Sequence, residues 1–176
     1  MKRVQAQKPF IYYETLKQWE IITVVIYALI TVVIILSPFV FDIETRQNSV
    51  IFYAILTQLS LLFLLYVSLR NFRSYLIWLG FGIIHFMLFL WFQNDTELDA
   101  GMANPSVALA NTLPLLLLFQ LLRFFSINTQ QKEFGVPSKG GRTDWIEDKK
   151  ITGIDCLAGI IYFGAWLGLS LWRFGR

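Results

Sequence analysis

Uncharged, mostly apolar stretches of about twenty residues alternate with short charged connections along nearly the whole chain. A helix rises about 1.5 Å per residue and the hydrocarbon core of a bilayer is about 30 Å thick, so about twenty apolar residues make one crossing. Four windows of that length are continuous: Ile21 to Phe41, Gln47 to Leu69, Ser74 to Asn94 and Ala100 to Leu122. A fifth, Ile151 to Trp172, contains Asp155 and the glycines Gly153, Gly159, Gly164 and Gly168, and its strictly apolar part begins at Cys156. The pattern predicts an all-α polytopic transmembrane helical bundle of five spans, over about 21–41, 47–69, 74–94, 103–123 and 152–172. The alternative is four spans followed by a C-terminal interfacial or re-entrant helix.

The remaining segments are short. Residues 1–20 form a polar arm in which Phe10 to Glu20 has the makings of an interfacial helix. Residues 124–150 form a loop punctuated by Gly135, Pro137, Gly140 and Gly141, with a helical turn expected around Trp145–Lys150. That loop is too small for a folded domain. The first window reads as a retained helix: twenty polar residues precede it, and Ser37-Pro38 stands where a signal peptide would show an A-x-A site.

Lysine and arginine set an orientation. The N-terminal arm, the second connection (Arg70, Arg73) and the fourth connection from Arg123 to Lys150 lie on one side and carry twelve of these residues. With five spans the other side holds three, Arg46, Arg173 and Arg176, and with four spans it holds one. Basic residues collect on the cytoplasmic side. The N-terminus is therefore expected in the cytoplasm, and the membrane is taken to be a bacterial inner membrane. Trp19, Tyr75 and Trp78 near the inner ends, and Trp91 and Trp172 near the outer ends, suit the headgroup zones.

Composition agrees. The chain is 56% apolar or aromatic and only 15% charged, against about 25% charged in soluble domains. The net charge of +3 falls between apolar segments, so it reads as topology and lipid contact, and no nucleic-acid partner is expected. One cysteine, Cys156, excludes an intrachain disulfide. With one histidine beside it, zinc fingers, bis-histidine haem and cysteine-ligated clusters are excluded too, and no metal or cofactor is expected.

A few residues stand out against this background. His85 lies near the middle of the third window, where an ionisable side chain faces the bundle interior or serves a proton or ligand path. The plain reading is a neutral imidazole bonded to Gln58, Asn111 or Thr112. Asp155 sits about 6 Å beyond Lys150 by helical rise. It reads either as an anchor at the interface, within reach of Lys149 or Lys150, or as an ion-coupling group drawn into the bundle. Asn111 and Thr112 followed by Pro114 predict a break in the fourth span, because proline removes a helical hydrogen bond. Gly164 and Gly168 form a G-x-x-x-G face suited to close helix packing, within the bundle or against another subunit. The acidic run Asp95, Glu97, Asp99 solvates an outer loop or gathers cations.

Three functions survive. The first is a non-catalytic integral membrane subunit or scaffold in a larger complex, with lipid and other membrane subunits as partners. The second is a small ion or solute transporter or channel lined by His85, Asp155, Asn111 and Pro114. The third is a lipid- or quinone-handling enzyme with His85 as its one acid or base. The missing polar residues within the spans favour the first.

Overall fold

The computed structural model describes residues 9–98, 104–137, 143–147 and 150–174, with side chains as far as residue 171. Lys2, Arg3, Lys8, Asp99, Lys139, Gly140, Gly141, Arg142, Lys149, Trp172, Arg173 and Arg176, used above as charge, loop or interface signals, lie outside these residues or side chains.

The described residues form five α-helices: α1 (Gln18–Val40), α2 (Ile43–Phe63), α3 (Phe72–Phe92), α4 (Thr112–Gln130) and α5 (Gly153–Phe174). A 3-10 segment, Pro105–Asn111, leads directly into α4. Among the described residues there is no strand, only two isolated bridges, Pro137 with Asp144 and Thr143 with Lys150. Among the described residues four helices are long and apolar enough to cross a membrane: Gln18–Val40, Phe72–Phe92, Pro105–Gln130 and Gly153–Leu171. The five-span count is therefore not met by length and apolarity alone. The exception is α2, whose first turns hold Glu44, Arg46, Gln47 and Asn48.

Boundaries follow local chemistry. Asp42 caps α2 by accepting from the Thr45 amide at 3.1 Å, so this helix starts earlier than the apolar window and stops at Phe63 instead of Leu69. Asn71 caps α3 through the Arg73 amide, and its side chain also holds Glu14 of the N-terminal arm, accepting at 3.1 Å and donating at 3.0 Å. That arm is not helical. Residues 9–17 run without helical structure across the end of the bundle, and the Phe72 amide donates to the Tyr12 carbonyl. Helix α4 continues to Gln130, where a left-handed Gln131 (φ 55°) turns the chain. Residues 143–147 form no helical turn; Asp144 instead accepts from the Val136, Ile146 and Glu147 amides and from the Tyr66 hydroxyl.

The contacts place the helices alternately up and down. The start of α1 meets the end of α2, where Ser68 donates to the buried Glu20, and Ser68 also meets Ser74 at the start of α3. The far end of α3 meets the start of α2, where Arg46 pairs with Asp95 and Glu97. The end of α4 returns to the first side: Gln120 donates to the Leu69 carbonyl, and Arg123, fully buried, makes a two-pronged pair with Glu133 at 2.7 and 2.8 Å. Phe10 and Tyr12 of the arm lie over the Arg123 guanidinium.

Two apolar clusters fill the bundle. One, towards the N-terminal side, includes Leu65, Tyr75, Trp78, Phe119 and Tyr162. The other, towards the opposite side, includes Ile34, Val50, Leu88, Phe92 and Leu109. Tyr27 packs against both. The closest helix approach among the glycines is at Gly82, where a Cβ would lie 3.0 Å from Leu116 and 3.5 Å from the Leu113 backbone. At Gly164 and Gly168 a Cβ would meet nothing within 4 Å, so the G-x-x-x-G face is open and is not used within the bundle.

Candidate functional site

Between the two apolar clusters lies a layer of polar side chains centred on His85, which is completely buried. His85 comes from the middle of α3, and its Nε2 lies 2.6 Å from the Tyr27 hydroxyl of α1. Its Nδ1 lies 2.9 Å from the Thr112 hydroxyl at the start of α4. Tyr27 also meets the Thr57 hydroxyl of α2 at 2.8 Å. Gln58 of α2 donates to the Ala108 carbonyl at 2.7 Å and to Thr112 at 3.3 Å, and accepts from the Trp166 indole of α5 at 2.8 Å.

The available protons fix the direction of every bond in this chain. Thr57 has one proton and directs it to the Tyr53 carbonyl at 2.7 Å, so it accepts from Tyr27. The Tyr27 proton is then committed, and Tyr27 accepts from His85. His85 therefore carries its proton on Nε2, and Nδ1 accepts from Thr112, because a neutral imidazole has one donor and one acceptor nitrogen. Thr112 in turn accepts from Gln58. The series starts at an indole N–H, which only donates, and ends at a peptide carbonyl, which only accepts. It links all five helices, and every N–H and O–H proton in it is directed at a partner within the protein. A parallel pair completes the layer: Thr31 donates to the Tyr27 carbonyl at 2.8 Å and meets the Tyr53 hydroxyl at 2.7 Å.

Asn111 sits beside this layer and does not join it. Its side chain is fully buried, and neither amide atom has a hydrogen-bond partner. The junction at Asn111–Thr112 is where the 3-10 segment becomes α-helix, and Pro114 occupies the first turn of α4. The Thr112 amide still donates in the 3-10 pattern to the Leu109 carbonyl, and Pro114 has no amide proton to offer to the α pattern that follows. The predicted break in the fourth span is thus a change of helix type.

Asp155 belongs elsewhere. It is fully buried at the start of α5 and accepts from the Gln130 amide at 2.9 Å, the Gly135 amide at 3.1 Å and the Thr152 amide at 3.0 Å. The Asp155 amide donates back to the Thr152 hydroxyl at 3.2 Å. Thr152-x-x-Asp155 is a reciprocal cap of the helix start. Asp155 is thus a buried capping group that also holds Gln130 and Gly135, not a side chain reaching out to the interface. Gly164 and Gly168 face outward on α5, away from the His85 layer.

Of the five intramembrane candidates, His85, Thr112 and Gln58 come together, Asn111 adjoins them unbonded, and Asp155 is apart. Tyr27, Thr57 and Trp166 are the members that the sequence reading missed. The signal of the two aromatics was a ring carrying one polar atom within an apolar window, which resembles any interfacial aromatic. No protein family, curated protein or solved structure matches this chain.

Removal of the imidazole orphans Tyr27 and Thr112 and opens a cavity. His85→Ala is expected to cost about 3 kcal/mol of stability, read as a lower unfolding midpoint in detergent. Nitrogen NMR of the folded protein is expected to show the Nε2–H tautomer; an Nδ1–H or doubly protonated ring would overturn the assigned bond directions.

Proposed function

We propose that this chain is a non-catalytic subunit of a membrane protein complex, threaded five times through a bacterial inner membrane with its N-terminus in the cytoplasm. The observation that carries this reading is the closed hydrogen-bond series around His85. A catalytic or transport site presents donors and acceptors to something that comes and goes, whereas these are directed at one another. Supporting it, α5 turns Gly164 and Gly168 outward with open space above them, the arrangement that lets a second transmembrane helix approach closely.

Five crossings are proposed because α2 is about 31 Å long by helical rise and its two ends contact opposite ends of α3. Its polar first turn is matched by protein: Arg46 meets Asp95 and Glu97, and Gln47 donates to the Glu97 carbonyl. Groups satisfied by neighbours no longer count against burial in lipid as their hydropathy suggests. A reporter fused after Arg176 is expected on the face opposite the N-terminus; a reporter found on the same face would reduce the crossings to four.

Purification in mild detergent is expected to give one defined heteromeric assembly. Gly168→Leu, which adds bulk to the open face of α5, is expected to release the chain from that assembly with its own unfolding midpoint unchanged. A stable monomer in native membranes, or an assembly indifferent to this substitution, counts against the proposal.

One observation favours the transporter reading, the unbonded amide of Asn111. Under the subunit reading Asn111→Leu removes a buried amide without partners and raises stability by about 1 kcal/mol. Reconstituted vesicles that conduct a small ion or polar solute, and lose that flux in Asn111→Leu, would establish the transporter in its place.

A further inference from the structure

Among the described residues, six buried side-chain atoms have no hydrogen-bond partner within the protein: Ser37 Oγ, Arg46 Nε, Arg70 Nε, Ser106 Oγ and both amide atoms of Asn111. Ser37, Ser106 and Asn111 are fully buried, and Arg46 is nearly so. Their places along the bundle are not scattered. Ser37 lies ten residues beyond Tyr27 and Arg46 eleven before Thr57. Each is therefore about 15 Å from the His85 layer by helical rise, towards the end opposite the N-terminal arm. Ser106 lies six residues before Thr112, about 12 Å in the same direction at the steeper 3-10 rise. Asn111 adjoins the layer itself. Only Arg70 Nε belongs to the other half, and there the Glu133 carboxylate stands 3.9 Å away. Each of the three outlying groups is one helical turn from a member of the second apolar cluster: Ser37 from Ile34, Arg46 from Val50 and Ser106 from Leu109. One half of the bundle thus meets its buried polar atoms internally, and the other half holds nearly all that are unmet.

Proline adds acceptors to the same half. Pro38 lies inside α1 and has no amide proton for the Ile34 carbonyl one turn earlier. Pro114 likewise has none for the Ala110 carbonyl. Ile34 and Ala110 are both buried. The Ser37 hydroxyl therefore has, within a turn, a carbonyl deprived of its α-helical donor, and the Asn111 amide has one on the neighbouring residue. Ser106 stands between the two along the bundle axis. Unpaired polar atoms are costly in an apolar interior. Ordered water meets such atoms where it finds roughly two to four polar partners. A hydroxyl or an amide, together with a carbonyl, supplies them. The way in selects the occupant. Arg46, whose Nε is unpaired, turns its other nitrogens to Asp95 and Glu97, and the Glu97 side chain is exposed. A mouth that sets a guanidinium against two carboxylates favours neither sign of ion, whereas water both donates and accepts.

We infer that ordered water enters this half of the bundle and binds at two sites, one held by the Ser37 hydroxyl with the Ile34 carbonyl and one held by the Asn111 amide with the Ala110 carbonyl, with the Ser106 hydroxyl on the way. The inlet is blind. At its inner end Thr112 already donates to His85 and accepts from Gln58, so water goes no further than Asn111. Water that enters leaves by the same mouth, and the sites require neither transport nor a second subunit. Asn111→Leu returns one water to bulk and removes its ordering cost, so the stability gain expected of that variant keeps its sign.

The test uses the full chain in lipid nanodiscs. Side-chain amide NMR compares Asn111 with Gln58, which sits at a similar depth with its amide committed to Ala108 and Thr112. The Asn111 amide protons, assigned by their loss in Asn111→Leu, are expected to exchange with water at least tenfold faster than those of Gln58. Equal rates overturn the inner site. Hydroxyl-radical footprinting by X-rays gives a second readout on the wild type, because the radicals form on bound water itself. Leu109 and Leu115 are both fully buried, one in each apolar cluster. Leu109 is expected to be oxidised at least fivefold faster than Leu115, and equal oxidation overturns the inlet. Ser106→Val, which removes the hydroxyl on the way, is expected to slow Asn111 exchange at least fivefold; an undiminished rate in the folded variant overturns the route. Proteoliposomes under an osmotic gradient are expected to swell no faster than empty vesicles, and faster swelling overturns the blind end. None of these readouts depends on assembly, so the subunit reading stands or falls separately.

Discussion

Within a bilayer, apolar side chains gain little by exchanging lipid for protein, so helices need another reason to stay together. In this protein that reason is a polar layer in which the side chains of α1, α2, α3, α4 and α5 each hold a bond that the others complete. Tyr27, Thr57, Gln58, His85, Thr112 and Trp166 are individually poor company for hydrocarbon. Left apart, each would present an unmet donor or acceptor, at a cost of several kcal/mol. The cost of separating the helices thus resides in a few side chains, and the apolar clusters above and below that layer then only need to fit.

The ends of the bundle obey the same rule with charges. Arg123 is fully buried, yet Glu133 meets it with both oxygens and Phe10 covers it. Arg70 reaches Glu147 and the Phe134 carbonyl. A buried ion pair gives little net stability but is costly to break on one side, so such pairs fix where a loop lies more than how tightly it is held. They carry residues 131–137 and 143–147 across the end of the bundle. Tyr66 reports the environment there: burial and the Asp144 carboxylate push its hydroxyl well above the usual tyrosine range.

The helices were legible because long apolar runs are a property of sequence alone. Their limits were less so. Asp42 and Thr45 looked like a connection and are the cap of α2, while the run from Leu64 to Leu69 looked like span and lies beyond the helix. Apolarity marks what suits lipid, whereas the helix ends where side chains satisfy backbone amides. A buried imidazole demands partners, so Thr112 was legible as one of three candidates for His85, beside Gln58 and Asn111, with nothing in the sequence to choose among them. Tyr27 was not, since nothing in a 23-residue apolar helix says which ring faces inward. Thr152-x-x-Asp155 was legible and was passed over; its three-residue spacing is a capping signal, and Asp155 was weighed only as a charge. Gly82 shows the reverse error. Close packing depends on what stands opposite a glycine, and a lone glycine facing Leu113 and Leu116 packs more tightly than the paired Gly164 and Gly168.

An ionisable residue deep in a membrane is usually read as a sign of chemistry. The direction of its hydrogen bonds decides whether that reading holds. A proton path needs members able both to receive and to pass on a proton, and ends that meet water or a substrate. The series through His85 has such members in Tyr27, Thr57, His85 and Thr112, but not such ends: the Trp166 indole nitrogen only donates, and the Tyr53 carbonyl has no proton to give. What remains undirected lies outside this layer, in the Asn111 amide and the glycine face of α5. If the His85 layer is what makes five helices one body, then groups free to meet anything outside the protein have to be sought away from that layer.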